Sequence, residues 1–257
     1  MKKLFAFDID GTLLDHKNNE IPASALKTIN HLKEQGHIVG IASGRNKSQM
    51  LKVINPEQFD FIILCNGGYL EIDGKKVKDF QFTYDEKLRI NQYLDELNLE
   101  YGITTHEELY NVDPHTENVK KVLEIFNVIT PLQTDNLIDC ETYQYSIYEH
   151  PSNIDKMIGL SDDFVFHSYG EFGFDIDKKS VNKGEMLKHV AEIFNINIKN
   201  TIAFGDADND EHLLKIAGLG IALGNGTEKA KQNADYITTN VWDHGIYNAI
   251  KKFGYIN

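Results

Sequence analysis

KKLFAFDIDGTLLD (Lys2–Asp15) is an apolar run that stops in two carboxylates and a glycine. Leu4, Phe5, Ala6 and Phe7 fit a strand buried on both faces, as in a parallel sheet. Asp is a poor strand former, and Asp8 and Asp10 repel one another unless something cationic lies between them. One reading is a strand leaving the core into a polar turn, since Asp and Gly are ordinary turn residues. The other is a site, and the rest of the chain has to choose.

Bulk properties set the bounds. At 257 residues the chain suits one large α/β domain or two smaller ones. Asp and Glu total 39 against 26 Lys and Arg, a net charge of −13 that argues against nucleic acid or anionic membrane as a main partner. A small anionic ligand answers to its local site and stays open. Cys65 and Cys140 cannot build a disulfide framework, and no C-x-x-C pair offers a zinc site, so both read as buried thiols in a reducing compartment. The apolar run after Met1-Lys2-Lys3 is broken by Asp8, so no signal peptide forms. No window reaches the ~18 apolar residues of a membrane span. A soluble cytoplasmic protein is expected.

Short apolar runs alternate with helical patterns. HIVGIA (37–42), FIILC (61–65), TIAFG (201–205), LGIAL (219–223) and DYIT (235–238) read as strands. PASALKTINHLKEQG (22–36) puts Ala25, Ile29 and Leu32 on one helical face between Pro22 and Gly36. NKGEMLKHVAEIF (182–194) and NDEHLLKIAG (209–218) read as two more helices. Strand and helix in alternation predict βαβ units and a parallel sheet. Asp73-Gly74 marks a hairpin turn. From about Tyr84 to Asp177 the pattern changes: helical pieces (85–97, 116–126) mix with alternating strands YQYSIY, DFVFHSYG and FGFDID, and no long buried run occurs. This predicts a separate α+β module inserted in the parallel-sheet domain, with boundaries at 1–82, 83–177 and 178–257.

In open parallel sheets, ligands bind at the carboxyl ends of the strands. Here LFAF leads to Asp8, Asp10, Gly11 and Thr12, and HIVGIA to Ser43, Gly44 and Arg45. FIILC leads to Asn66, Gly67 and Gly68, and TIAFG to Asp206, Asp208, Asn209 and Asp210. Turn chemistry alone explains one such end better than four. Asp8, Asp10 and Asp206 together need a counterion, and Mg²⁺ favours a few carboxylates with waters and a substrate phosphate. A Ser-Gly at a strand-to-helix turn and Lys183 at a helix start suit an anion, so the set reads as phosphoryl-transfer chemistry. No G-x-x-x-x-G-K-[ST], G-x-S-x-G or H-E-x-x-H is present, and the glycines of AGLGIALGNG lack dinucleotide spacing.

DIDGTLLD (8–15), ASGR (42–45), NKGEML (182–187) and GDADND (205–210) resemble, in order, the four motifs of the haloacid-dehalogenase-like phosphatases. CNGG, LGIALGNG, ADYIT and DHGI are similar to further stretches of the Cof-like subgroup, whose α/β cap lies between the second and third motifs. The resemblance covers roughly the first and last 80 residues. It implies a Rossmann-like core with an inserted cap, and a cytoplasmic, Mg²⁺-dependent phosphatase of small phosphorylated metabolites, sugar phosphates or pyridoxal phosphate, acting through an aspartyl-phosphate. Asp8 would be the nucleophile and a metal ligand. Asp10 would be the acid and base, with its main-chain carbonyl on the metal, and Asp206 the third ligand. Ile9, Ser43, Gly44, Lys183 and Asn209 would surround the phosphate, with Asp210, Arg45 and Asn66 in support. Leu213 stands where many relatives have Met, and DKKSVNKG is more charged than usual, but neither touches a catalytic position.

Plainer readings stand beside these. Alone, Ser43-Gly44 is a turn, Lys183 a solvated helix lysine, Arg45 a rim salt bridge and Asn66 a turn cap. Asn225 reads as a turn residue, all ten histidines as structural or surface groups, and the insert's aromatics, Tyr169 of FHSYG included, as its own small core. A sugar phosphomutase, or a non-catalytic sensor of Mg²⁺ or a phosphorylated ligand, remains an alternative function. The oligomeric state is open.

Overall fold

The computed structural model describes residues 1–126, 129–168 and 170–256; Tyr169 therefore lies outside the described residues. β1 (Leu4–Phe7) leads to α1 (Ala23–Glu34), which starts behind Pro22. α1 closes in a Schellman arrangement, with Gly36 N–H on Lys33 O (2.8 Å) and His37 N–H on Leu32 O (3.1 Å). β2 (Ile38–Ala42), the single turn α2 (Lys47–Met50) and β3 (Phe61–Leu64) follow. β4 (Tyr69–Ile72) and β5 (Lys75–Asp79) form a hairpin through Asp73-Gly74, both at positive φ as a two-residue hairpin turn requires. Next come α3 (Tyr84–Glu96), β6 (Tyr101–Thr104), β7 (Leu109–Asn111) and α4 (Glu117–Phe126). β8 (Leu132–Gln133), β9 (Gln144–Ile147), β10 (Phe164–Ser168) and β11 (Phe174–Lys178) complete the insert. The chain ends with α5 (Lys183–Ile193), β12 (Thr201–Gly205), α6 (Glu211–Ile216), β13 (Leu219–Ala222), α7 (Glu228–Gln232), β14 (Tyr236–Ile237) and α8 (Gly245–Lys252).

The chain divides into two compact units. The first comprises Met1–Gly44, Val53–Asp79 and everything from Asn182 on; the second comprises Arg45–Lys52 and Phe80–Val181. The segment Arg45–Lys52, placed in the core by a linear reading, belongs to the second unit. Its N–H groups at Lys47 and Ser48 donate to His106 O (2.7 Å) and Glu107 O (3.0 Å), pairings no local pattern announces.

In the first unit the described residues form an eight-stranded sheet in the order β14-β13-β12-β1-β2-β3-β4-β5. It is parallel from β14 to β3, and β4 and β5 add an antiparallel edge. Every residue of β1, β2, β3 and β12 is buried, as apolar runs covered on both faces require. β1 lies between β12 and β2, with Phe7 opposite both Phe204 and Ile41. The Phe7 and Phe204 rings stack at 4.9 Å and hold the two strand ends level. Because the chain leaves β1 toward β2 and returns to its other side at β12, the ends of β1 and β12 flank the switch point where open parallel sheets bind ligands.

In the second unit the described residues form a six-stranded sheet, β10-β11-β9-β6-β7-β8, antiparallel except between β7 and β8. Ile103, Tyr145, Ile147, Phe174 and Ile176 pack under Ile90 and Leu94 of α3. The alternate residues Gln144, Ser146, Asp175 and Asp177 belong to the opposite face, following the pleat. There Ser146 Oγ donates to Asp175 (2.8 Å) and Gln144 Nε2 to Asp177 (3.1 Å). α3 opens with a reciprocal capping box between Thr83 and Glu86. Among the described residues no helix is long and apolar enough to cross a membrane.

Candidate active site

Asp8 stands one residue beyond β1, where its N–H still donates to Phe204 O (3.0 Å). The backbone then coils tightly. The N–H groups of Thr12, Leu13 and Leu14 converge on Ile9 O at 3.3, 2.9 and 2.7 Å, and Gly11 N–H donates to Leu14 O (3.1 Å). Gly11 makes this coil possible: its φ is +76°, and a Cβ there would lie 2.2 Å from Asp206 Oδ2. The glycine thus brings the Asp8 turn against the end of β12. Thr12 Oγ1 completes the contact by donating to Asp206 Oδ1 (2.8 Å).

Lys183 ties the carboxylates together. It is the first residue of α5, whose N-cap Asn182 accepts the Glu185 N–H (2.9 Å). Its ammonium donates to Asp8 Oδ1 and to Asp210 Oδ1, both at 2.7 Å, and neither Lys183 nor Asp210 has any exposed surface. Asp210 Oδ2 accepts the N–H groups of Asp206 (2.9 Å) and Ala207 (3.1 Å), so Asp210 shapes the turn that presents Asp206. The start of α5 reaches this place because residue 67 is glycine. Gly67 has φ +101°, and a Cβ would meet the Asn182 carbonyl at 2.4 Å.

A second cluster forms where β2, β3 and β12 end. Ser43, buried, donates its N–H to Ile63 O (2.9 Å), and its carbonyl accepts from Asn66 N–H (3.1 Å). Asn66, at φ 54°, takes the Asn209 Nδ2 donor on its Oδ1 (3.0 Å). Both amides crowd Gly44, where a Cβ would lie 2.8 Å from Asn66 Oδ1 and 3.4 Å from Asn209 Nδ2. Asn66 therefore joins the ends of β3 and β12 rather than only capping a turn.

A family model described as haloacid dehalogenase-like hydrolase matches residues 5–250. The chain belongs to the haloacid dehalogenase-like hydrolases. It is 28% identical over 254 residues to YkrA of Bacillus subtilis, covering 98% of each chain. It is 25% identical over 272 residues to the 5-amino-6-(5-phospho-D-ribitylamino)uracil phosphatase YitU of the same species, covering 97% of each. A solved phosphatase of the haloacid dehalogenase superfamily from Bacteroides thetaiotaomicron superposes with a TM-score of 0.90 at 25% identity, covering 100% of this chain and 96% of that one.

In this member of the haloacid dehalogenase-like hydrolases, one lysine faces three carboxylates. Oxygens of Asp8, Asp206 and Asp210 lie within 4.8 Å of one another. Burial raises Asp8 well above the usual carboxylate range, and the Asp210 charge adds to this against the pull of Lys183. Burial likewise lifts Asp206 to about 7, with Asp210 again adding and the Thr12 hydroxyl opposing. Burial alone would lower Lys183, but Asp210 and Asp8 outweigh it and hold the ammonium protonated. Both Asp210 oxygens are engaged, by Lys183 and by the two N–H groups, which makes Asp210 the organiser of the cluster. Hard oxygen donors with excess negative charge suit a divalent cation, which would bring the raised carboxyls back down.

Some residues fall differently from their reading in the sequence. Arg45 belongs to the second unit, where its Nη1 donates to Gln49 O (2.8 Å). Asn225 is more than a turn residue: its Nδ2 donates to Gly11 O (2.8 Å) and its Oδ1 accepts Val241 N–H (2.8 Å), tying a distant loop to the Asp8 coil. His16 is the surface group the sequence predicts, and its Nε2 lies 3.3 Å from Asp10 Oδ1. Neither residue had a spacing that could reveal it; only the G-N-G turn composition around Asn225 marked a loop.

Proposed function

We infer that the chain is a Mg²⁺-dependent phosphatase of small phosphorylated metabolites that works through an aspartyl-phosphate at Asp8. The observation that carries this is the buried Lys183 ammonium, 2.7 Å from both Asp8 and Asp210 and beside Asp206. A lysine fixed on a carboxylate nucleophile can meet an oxygen of the arriving phosphoryl group without leaving its place.

Asp8 attacks phosphorus with a carboxylate oxygen, and the bond from phosphorus to the leaving oxygen breaks. Asp10, in its acid form, passes its proton to that oxygen, and an alcohol departs. Asp10, now a carboxylate, takes a proton from water, whose oxygen attacks phosphorus. The bond to Asp8 breaks, phosphate leaves and Asp8 is restored. Ser43, Lys183, Asn209 and the backbone of Ile9 and Gly44 hold the phosphoryl oxygens, while Asn66 fixes Asn209 and Asp210 supports the turn. When bound by Asp8, Asp206 and the Asp10 carbonyl, Mg²⁺ neutralises the clustered charge and that of the phosphate. The inserted unit, to which Arg45 also belongs, is the cap of this reading and selects the leaving group. Sugar phosphates or pyridoxal phosphate are the substrate classes this reading favours; the phosphorylated ribitylamino compound in YitU's name has a related polyol ester.

The test is phosphate release from a panel of phosphorylated metabolites, with Mg²⁺ and with chelator. Release that requires the metal supports the reading. Release that persists in chelator, or Mg²⁺ binding with every ester inert, opposes it.

A further inference from the structure

We propose that the polar face of the second unit's sheet binds a ligand carrying a protonated amine beside a hydroxyl, as an amino sugar or amino alcohol does. The inference rests on the phosphatase reading, in which this unit selects the leaving group and the amine belongs to the departing alcohol. His167, Asp175, Ser146, Gly102 and Asn111 stand opposite one another across β10, β11, β9, β6 and β7, and so share a face. Asp177 lies two residues beyond Asp175 on that face. Lys178, next in the chain, turns the other way and pairs with Glu86 of α3 (2.8 Å). Neutral groups donate to both carboxyls: the Ser146 hydroxyl to Asp175 at 2.8 Å, and the Gln144 amide to the two Asp177 oxygens at 3.1 and 3.2 Å. The His167 ring brings Nε2 to 3.8 Å from Asp177 Oδ2, beyond hydrogen-bond reach. Asp175 and Ser146 are half-buried, which leaves them open to a ligand.

Gly102, within this row, makes room for two more polar groups. A Cβ there would lie 2.8 Å from the Tyr148 hydroxyl and 3.3 Å from Asn111 Nδ2. The Tyr148 ring packs on Val119, Val122 and Leu123 of α4, which fixes the phenol. Asn111 is 2% exposed; its Oδ1 accepts Asp113 N–H (2.9 Å), but its Nδ2 has no hydrogen-bond partner among the described residues. That amide stands close enough to the phenol to oppose the rise burial gives it, yet outside hydrogen-bond geometry. A donor behind the phenol oxygen turns the phenol's own proton outward, toward a ligand hydroxyl, and drawing the phenol onto Asn111 satisfies a stranded donor. The ligand's charge follows from the carboxyls. Burial raises Asp175 to about 8, with Asp177 adding and the Ser146 hydroxyl opposing, and raises Asp177 to about 7 against the Gln144 amide. A neutral polyol would leave the repulsion between two such carboxylates in place. An ammonium donates to Asp175, relieves that repulsion and replaces protons that the carboxyls would otherwise keep.

The test uses the full chain and has two arms. In the first, ¹H–¹⁵N spectra follow titration with D-glucosamine and, at matched ionic strength and neutral pH, with D-glucose. Glucosamine is expected to move the Asn111 side-chain amide and the backbone signals of Ser146 and Asp175. Glucose should move them less, and Asp175→Asn should abolish the difference. No response to glucosamine, a response no larger than that to glucose, or an unaltered difference in Asp175→Asn overturns the proposal. The second arm compares kcat/KM for glucosamine 6-phosphate and glucose 6-phosphate with Mg²⁺. Wild type is expected to prefer the amine by about tenfold, the lower end of what a hydrogen bond to a charged group contributes. Asp175→Asn should lose that preference, and because the readout is a ratio, a general loss of folded protein cancels. A wild-type ratio of one or below, or a preference that survives Asp175→Asn, overturns the proposal. If both esters are inert, the phosphatase reading falls and the titration alone decides whether this face binds the amine.

Discussion

Lys183 has no exposed surface, and its ammonium is tolerable there because Asp8 and Asp210 each accept from it at 2.7 Å. Replacing it with methionine keeps the volume but leaves two buried carboxylates facing each other. Breaking a buried pair from one side costs about 3–5 kcal/mol. Lys183→Met should therefore melt well below wild type and release phosphate far more slowly, which calorimetry and a phosphate assay would check. A Lys183→Met protein that melts as wild type does would remove Lys183 from this role. In the sequence Lys183 reads as an anion-facing lysine at a helix start and belongs to the resembled motif NKGEML, but its partners are not visible there. Its reach to Asp8 spans 175 positions and depends on how the strands are ordered.

At the scale of elements, the site depends on helix α5 starting close to the end of β3. Gly67 permits that approach, with φ +101° and a Cβ that would meet the Asn182 carbonyl at 2.4 Å. Gly67→Ala should cost about 1–3 kcal/mol through strain and backbone displacement. It should also lower kcat, because Lys183 moves with the helix; urea unfolding and steady-state kinetics together would show both effects. Unchanged kcat in a destabilised protein would separate α5 placement from catalysis. The core strands were legible because four or five apolar residues in a row, such as LFAF and TIAFG, fit little but a buried strand. β6, β7 and β8 were not. Gly102 interrupts β6, β7 has three residues, and both residues of β8 are exposed, so pairing rather than local pattern makes them strands.

At the scale of the whole molecule, folding buries Asp177, and a neutral amide rather than a cation opposes the shift that burial causes. Burial lifts Asp177 from its ordinary 3.8 to about 7, opposed by the Gln144 hydrogen bond. The folded state holds this proton where the unfolded chain has lost it, so stability falls as pH rises from about 4 to about 7. Asp177→Asn removes that loss: it should melt above wild type at pH 8 and level with it near pH 4, by scanning calorimetry. Lower melting at pH 8 would contradict the assignment. Mg²⁺ should raise the melting temperature by binding the folded state alone. The rise should be larger at pH 8 than at pH 6, because Asp206, lifted to about 7, must be ionised to bind it. Asp8→Asn should blunt the rise.

In the proposed reaction Asp8 carries the phosphoryl group in turnover. The most direct measurement is acid quenching during hydrolysis of a good ester with Mg²⁺, followed by peptide mass mapping of wild type and Asp8→Asn. The account predicts a phosphoryl adduct on the wild-type peptide containing Asp8, and neither adduct nor phosphate release in Asp8→Asn. Phosphate release by Asp8→Asn at the wild-type rate, with the wild-type peptide unmodified throughout, would contradict it.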